Sequence, residues 1–166
     1  MKKILGVIVI LLVLNSCNIF GLWGSGVEKT ETRELENFTS LYSEVVGDIN
    51  ITYGDTQSVK ITGDDNIISE INTKVSDGSL VIDCDQDYNS VIGISIEMQV
   101  IDLNSITVSG VGDLVLEDVN CDSLDMKIDG VGDVTADGRV GIFSLDFDGV
   151  GDVNAENLIS SHAILI

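Results

Sequence analysis

The sequence predicts an all-β fold, a single-stranded right-handed parallel β-helix with about 20 residues per coil. Two observations predict it. From residue 33 onward, apolar and polar residues alternate in short runs that are rich in β-branched side chains and separated by Gly, Asp and Asn. A glycine-flanked turn, SGVGDL or DGVGDV, then occurs three times at spacings of 20 and 19 residues. Because one such unit cannot bury its own apolar face, we expect the units to stack as a solenoid.

The N-terminus predicts export. Two lysines precede an apolar run over residues 4–14, which is too short to span a bilayer, so residues 1–16 read as a signal peptide. The LNSC segment that follows resembles a bacterial lipobox. That resemblance implies that Cys17 carries acyl chains such as palmitate and becomes the first residue of the mature protein. The protein would then be a lipoprotein of the bacterial outer membrane, on either its periplasmic or its outer face. The alternative is an ordinary signal peptide with a chance cysteine.

Residues 17–29 are predicted to be a lipid-anchored tether. The Gly and Ser residues of this segment favour a mobile linker. As an alternative, Phe20, Leu22 and Trp23 rest at the membrane interface. We expect residues 30–166 to form the β-helical domain.

Two features interrupt the strand pattern. The run DDNIISEINTKV begins with capping residues and places three isoleucines on one face, which predicts one short helix near 65–74. Cys84 and Cys121 lie far apart in the sequence, and we expect each to be a small buried hydrophobe. A disulfide between them is the alternative, since an export compartment permits one.

The three turns align the flanking strands into columns. Leu114, Val134 and Val153 fall together after the turn, and apolar residues also coincide at alternate positions before it. We expect glycines to make the bends, because they adopt backbone angles that side chains forbid. These turn glycines are Gly110, Gly112, Gly130, Gly132, Gly149 and Gly151.

The aspartates of the repeated turns have two interpretations. In the first, they accept backbone N–H bonds and hold the corners. In the second, stacked coils about 4.8 Å apart bring the carboxylates into two ladders, which bind calcium. The first ladder would contain Asp113, Asp133 and Asp152, and the second Asp129 and Asp148.

Together, the segments VVGDINITYG and SVKITGDDNIISEINTKVSDGSLVI and the run of G-x-G-D turns resemble the putative auto-transporter adhesin, head GIN domain family. The resemblance covers about residues 30–166. It implies an exported, often lipid-anchored β-helical protein without established enzymatic activity. The family usually has G-S-G-D at these turns, and the valine found here removes a hydroxyl. Its members also continue through further turns, so we expect either an incomplete C-terminal end or an open end that pairs with another chain as an oligomer.

The net charge and the residue types limit the classes of function that we expect. A formal net charge of −20 repels phosphate backbones, which argues against nucleic acid as a partner. No Ser/His/Asp order, paired-His metal motif or phosphate loop is present, and His162 is the only histidine, so we expect no enzyme. The sequence therefore predicts a binding or adhesion domain for a glycan or protein surface ligand. The alternatives are a structural scaffold without ligand, a calcium-stabilised β-helix and, remotely, a polysaccharide-active enzyme.

Overall fold

The computed structural model describes residues 21–166, and most of them lie in strands, as the period-two alternation predicts. One short helix, α1 (Asp65–Ile68), follows the fifth strand. The strands are β1 (Leu22–Trp23), β2 (Glu28–Arg33), β3 (Ser40–Ser43), β4 (Asp48–Tyr53), β5 (Ser58–Asp64), β6 (Ile71–Ser76), β7 (Ser79–Cys84), β8 (Tyr88–Asn89), β9 (Ser95–Val100), β10 (Ser105–Val108), β11 (Leu114–Ile128), β12 (Val134–Phe147) and β13 (Val153–Leu165).

Eleven of these strands form one mixed sheet. Its path runs β2-β5-β9-β4-β11-β10-β3-β7-β6, and β12 and β13 extend it from β11. The pairs β2–β5, β5–β9 and β6–β7 are antiparallel. The other pairs, such as β4–β11, β10–β11 and β11–β12, are parallel. A separate two-stranded sheet joins β1 and β8.

The prediction of a single-stranded right-handed parallel β-helix is therefore wrong. The mixed sheet is nearly closed, like a barrel, around one core. The 20-residue repeat begins only at β10, whereas the N-terminal half contributes antiparallel pairs that the repeat does not encode. One of these pairs is specified locally, because Asp77 and Gly78 both have positive φ and form the two-residue turn between β6 and β7.

The columns derived from the repeat are confirmed over most of their length. Ile106 pairs with Met126, which in turn pairs with Leu145, and all three side chains are buried. Leu114 likewise aligns with Val134. A register shift between Thr135 and Asp137 interrupts the pairing of β12 with β13, which then resumes and continues to Leu145.

Alternation along each strand separates the core from the outer face. In β4, Ile49, Ile51 and Tyr53 are buried, so Asn50 and Thr52 lie on the outside of the sheet. The same alternation holds in β5, β9 and the first part of β11.

The predicted helix near 65–74 is only one turn long. Residues 65–68 are helical, with Ile67 and Ile68 buried, and the rest of the segment enters β6. The β-branched residues at 71, 73 and 75 favour a strand, and pairing with β7 supplies their backbone hydrogen bonds.

The structure tests the predictions for Cys84 and Cys121 but not those for the N-terminal segment. Cys84 and Cys121 are half-buried free thiols in the structure, so the alternative disulfide is not formed there. Cys17 and the predicted signal peptide lie outside the described residues. No helix within residues 21–166 has the length and apolar composition needed to cross a bilayer.

Candidate functional site

The three glycine turns stack at one edge of the sheet, together with a fourth that sequence reasoning missed. Val111, Val131 and Val150 form successive parallel bridges, and Val46 bridges to Val111. The missed rung belongs to the VVGD segment before β4. Its signal was available, because Val46 is followed by Gly and Asp, as in the other turns. We call these four residues the valine ladder.

Close approach between rungs explains the glycines. Gly132 has φ of 151°, which disfavours side chains, and a Cβ there would collide with the carbonyl oxygen of Gly112 in the rung below. A Cβ added at any of the predicted turn glycines would meet a backbone carbonyl of the neighbouring rung. These positions are Gly110, Gly112, Gly130, Gly132, Gly149 and Gly151.

The aspartates after these glycines link the rungs by hydrogen bonds. The backbone N–H of Asp113 donates to Asp48 Oδ1 at 3.0 Å, and that of Asp133 donates to Asp113 Oδ1 at 2.9 Å. The N–H of Asp152 donates to Asp133 Oδ1 at 2.8 Å. The carboxylates of Asp48, Asp113 and Asp133 thus each accept a bond from the next rung, which is the arrangement described in the first interpretation. The Asp152 side chain accepts no hydrogen bond within residues 21–166.

The second predicted aspartate row behaves differently. Asp129 and Asp148 are exposed, and neither side chain forms a hydrogen bond within residues 21–166. No group of three or more His, Cys, Asp or Glu side chains in this range converges on a point where a metal ion would fit. Calcium binding by Asp113, Asp133, Asp152 or this row stays a prediction.

A polar groove of about 430 Å³ lies on the outer face of β5, β9, β4 and β11. Strand register arranges its side chains in two rows across the sheet. Lys60 is opposite Glu97, which is opposite Asn50. In the second row the order is Ser58, Gln99, Thr52 and Glu117. These residues are far apart in the sequence, so no local motif marks the groove.

The first row of the groove is available to a ligand. In the described part of the chain, the side chains of Asn50, Lys60 and Glu97 form no hydrogen bond or ion pair with other protein groups. The second row is partly paired, because Thr52 Oγ1 donates to Glu117 Oε2 at 3.4 Å. The groove thus presents an ammonium, amides, hydroxyls and carboxylates on rigid strands.

Two side chains of the described chain that could in principle transfer protons are His162 and Tyr88. His162 is exposed on β13, where it pairs with Ile142, and no nucleophile hydrogen-bonds to it in the described chain. Burial raises the pKa of Tyr88 to about 12, and its hydroxyl is occupied by the backbone of Val46. Neither residue is placed for acid–base catalysis.

One family model matches most of the chain. The family model described as putative auto-transporter adhesin, head GIN domain, matches residues 37–165. None of the curated proteins compared with the chain matches it.

Three solved structures are similar in fold to this chain. A putative adhesin from Bacteroides fragilis NCTC 9343 is 26% identical, with a TM-score of 0.72 over 87% of this chain and 78% of that chain. A putative adhesin from Parabacteroides merdae ATCC 43184 is 14% identical, with a TM-score of 0.64 over 87% and 79%. A putative lipid binding protein from Parabacteroides distasonis ATCC 8503 is 14% identical, with a TM-score of 0.58 over 87% and 80%.

Proposed function

Because the chain belongs to the putative auto-transporter adhesin, head GIN domain family, we propose that it is an adhesin-type domain of the cell envelope that binds a glycan in its polar groove. The observation that carries the proposal is the unpaired first row of the groove, formed by Lys60, Glu97 and Asn50.

Glycan chemistry suits this row. Sugar hydroxyls both donate and accept hydrogen bonds, so they pair with carboxylates, amides and ammonium groups alike. Glu97 offers acceptors, Lys60 offers donors and Asn50 offers both. Since the three residues lie on adjacent strands, their backbone positions are set before the ligand arrives, which lowers the entropic cost of binding.

The envelope location rests on the lipobox at Cys17 and on the export signal before it. The acyl chains at Cys17 would hold the domain at a membrane, in contact with surface ligands. Mass spectrometry of the mature N-terminus tests this part. We expect an acylated chain that begins at Cys17, and an unmodified chain that begins elsewhere would overturn it.

A glycan array tests the groove. The chain from Asn18, which retains every described residue, is expected to bind a subset of glycans. The triple variant Asn50→Ala/Lys60→Ala/Glu97→Ala, which removes the whole first row, should weaken that binding by about tenfold or more, because each lost hydrogen bond contributes about 0.5–1.5 kcal/mol. Val131→Ser, on the valine ladder, is the matched exposed control and should bind as the wild type does. No binding by the wild type, or unchanged binding by the triple variant, would overturn the proposal.

A protein ligand on the valine ladder is the second candidate. The four valines are about half exposed or more, with Val150 at 70%, and they form one apolar strip beside the capping aspartates. Exposed apolar strips mark protein-interaction surfaces. This candidate predicts the reverse outcome: Val131→Ser weakens adhesion to immobilised protein and the triple groove variant does not.

A further inference from the structure

The chain is hydrogen-bonded to the domain at Leu22, close in sequence to the predicted acylation site. The backbone N–H of Leu22 donates to the carbonyl of Asp87 at 2.8 Å, and that of Gly24 donates to the carbonyl of Asn89 at 2.9 Å. Trp23 is opposite Asn89 in the β1–β8 pair. Within the described residues, the segment expected to be a mobile tether is therefore paired with the domain at Leu22 and Gly24.

A buried carboxylate fastens this segment to the next loop. Asp64 accepts hydrogen bonds from the N–H of Gly26 at 2.6 Å, the hydroxyl of Ser90 at 2.5 Å and the N–H of Val91 at 2.9 Å. The Ser90 bond is the main cause that lowers the pKa of Asp64 to about 2, with the backbone donors adding to it. Asn66 adds a second link, because its side-chain N–H donates to the carbonyl of Trp23 at 2.8 Å.

Four apolar side chains are exposed around this junction. Trp23 is 63% exposed, Val27 58%, Val91 65% and Ile92 39%. They belong to one region of the surface, because Asp64 joins the backbone next to Val27 to the backbone of Val91 and Ile92. We call these four residues the junction patch. None of them carries a charge, in a chain whose net charge is −20.

Chain length limits how far this patch lies from the anchor. Four residue steps separate Cys17 from Gly21, and an extended chain spans at most about 3.6 Å per residue. Gly21 is thus within about 14 Å of the acylated cysteine. Acylation of Cys17 would therefore keep Gly21, and the junction patch beside it, close to the membrane surface.

We propose that the junction patch lies on the lipid bilayer and sets the orientation of the domain, an inference that rests on the acylation of Cys17 proposed above. Tryptophan favours the interface between lipid and water. One acyl-bearing anchor is strengthened by a second membrane contact. The acidic remainder of the surface is repelled by anionic lipid, so the uncharged patch is the face that approaches the bilayer.

The test uses Trp23, the only tryptophan in the chain, as its reporter. The full-length acylated protein is inserted into phosphatidylcholine vesicles with or without brominated acyl chains. We expect brominated lipid to quench Trp23 emission and the emission maximum to shift to the blue. Val91→Ser/Ile92→Ser should lose part of both effects while keeping the anchor.

A transplanted tryptophan is the matched control. Val46 lies near the patch, because its backbone N–H donates to the hydroxyl of Tyr88, which pairs with Leu22 next to Trp23. In Trp23→Phe/Val150→Trp the reporter lies three rungs of the valine ladder away from Val46, or about 14 Å. We expect no quenching there. An unacylated chain in mass spectrometry overturns both the anchor and the orientation. An acylated chain with unquenched Trp23, or with equal quenching at position 150, overturns the orientation alone.

Discussion

The glycine turns and the polar groove share strands β4 and β11 but differ in how their residues are distributed. At the turns, valine, glycine and aspartate recur from rung to rung, because each rung must fit closely on the one below it. In the groove, neighbouring strands carry different side chains, such as Lys60, Glu97 and Asn50 across one row. The residues that recur at the turns satisfy a constraint on the backbone. The side chains that vary across the groove are under no such constraint and remain free to bind a ligand.

This difference has an experimental consequence. Substitutions at the turn glycines and capping aspartates should change the free energy of unfolding. Substitutions in the first row of the groove should change ligand binding with little effect on stability, since these side chains have no protein partner in the described chain.

The largest expected effect is at Gly132. Replacing it with alanine forces a Cβ into the carbonyl of Gly112 at a positive φ, and we expect a loss of about 3 kcal/mol in the free energy of unfolding. Gly93→Ala is the matched control, because φ there is 94° but nothing lies within 4 Å of the added Cβ. It should cost only about 1 kcal/mol of backbone strain. Urea unfolding of both variants measures the difference, and equal losses would contradict the close-approach account.

The next effect concerns Asp64 and pH. Its folded pKa, about 2, lies below the ordinary value of 3.8, so its ionised form stabilises the fold at neutral pH. That contribution is lost as pH falls from about 4 to about 2. We expect the melting temperature of Asp64→Asn to be lower at neutral pH and to fall less than that of the wild type across this window. Parallel melting curves across the window would show that Asp64 makes no such contribution.

The smallest effect distinguishes the two aspartate rows. Asp133→Ala removes the acceptor for the N–H of Asp152, and we expect a loss of about 1 kcal/mol. Asp129→Ala, on the same turn, removes no hydrogen bond and should lie within about 0.5 kcal/mol of the wild type. Thermal unfolding in calcium-free buffer measures both. Repeating it with calcium tests the ladder hypothesis, which predicts stabilisation that both variants reduce.

The sequence predicted those parts of the fold that depend on local or periodic signals. Alternation predicted strands, and the repeat predicted that Ile106, Met126 and Leu145 align. The same repeat led to the wrong overall fold, because the antiparallel pairs β2–β5 and β5–β9 join segments that are distant in the sequence. Only the antiparallel pair β6–β7 had a local signal, the Asp77–Gly78 turn.

The candidate site was predictable only at the turns. The turn glycines and the hydrogen-bonding role of Asp113 and Asp133 could be predicted from the repeated turn sequence. The Val46 rung was also recognisable, because Val46 is followed by Gly and Asp as in the other turns. The groove was not predictable, because Asn50, Lys60 and Glu97 meet only through the register of three strands. No spacing rule in the sequence relates them.

We propose that the groove binds the ligand and that the repeated turns only support the fold. A titration followed by backbone amide NMR, with the strongest binder from the glycan array, tests it most directly. We predict that shift changes concentrate at Asn50, Lys60, Glu97 and Gln99, with the resonances of the valine ladder unchanged. Shift changes concentrated at Val111, Val131 and Val150 instead would contradict the claim.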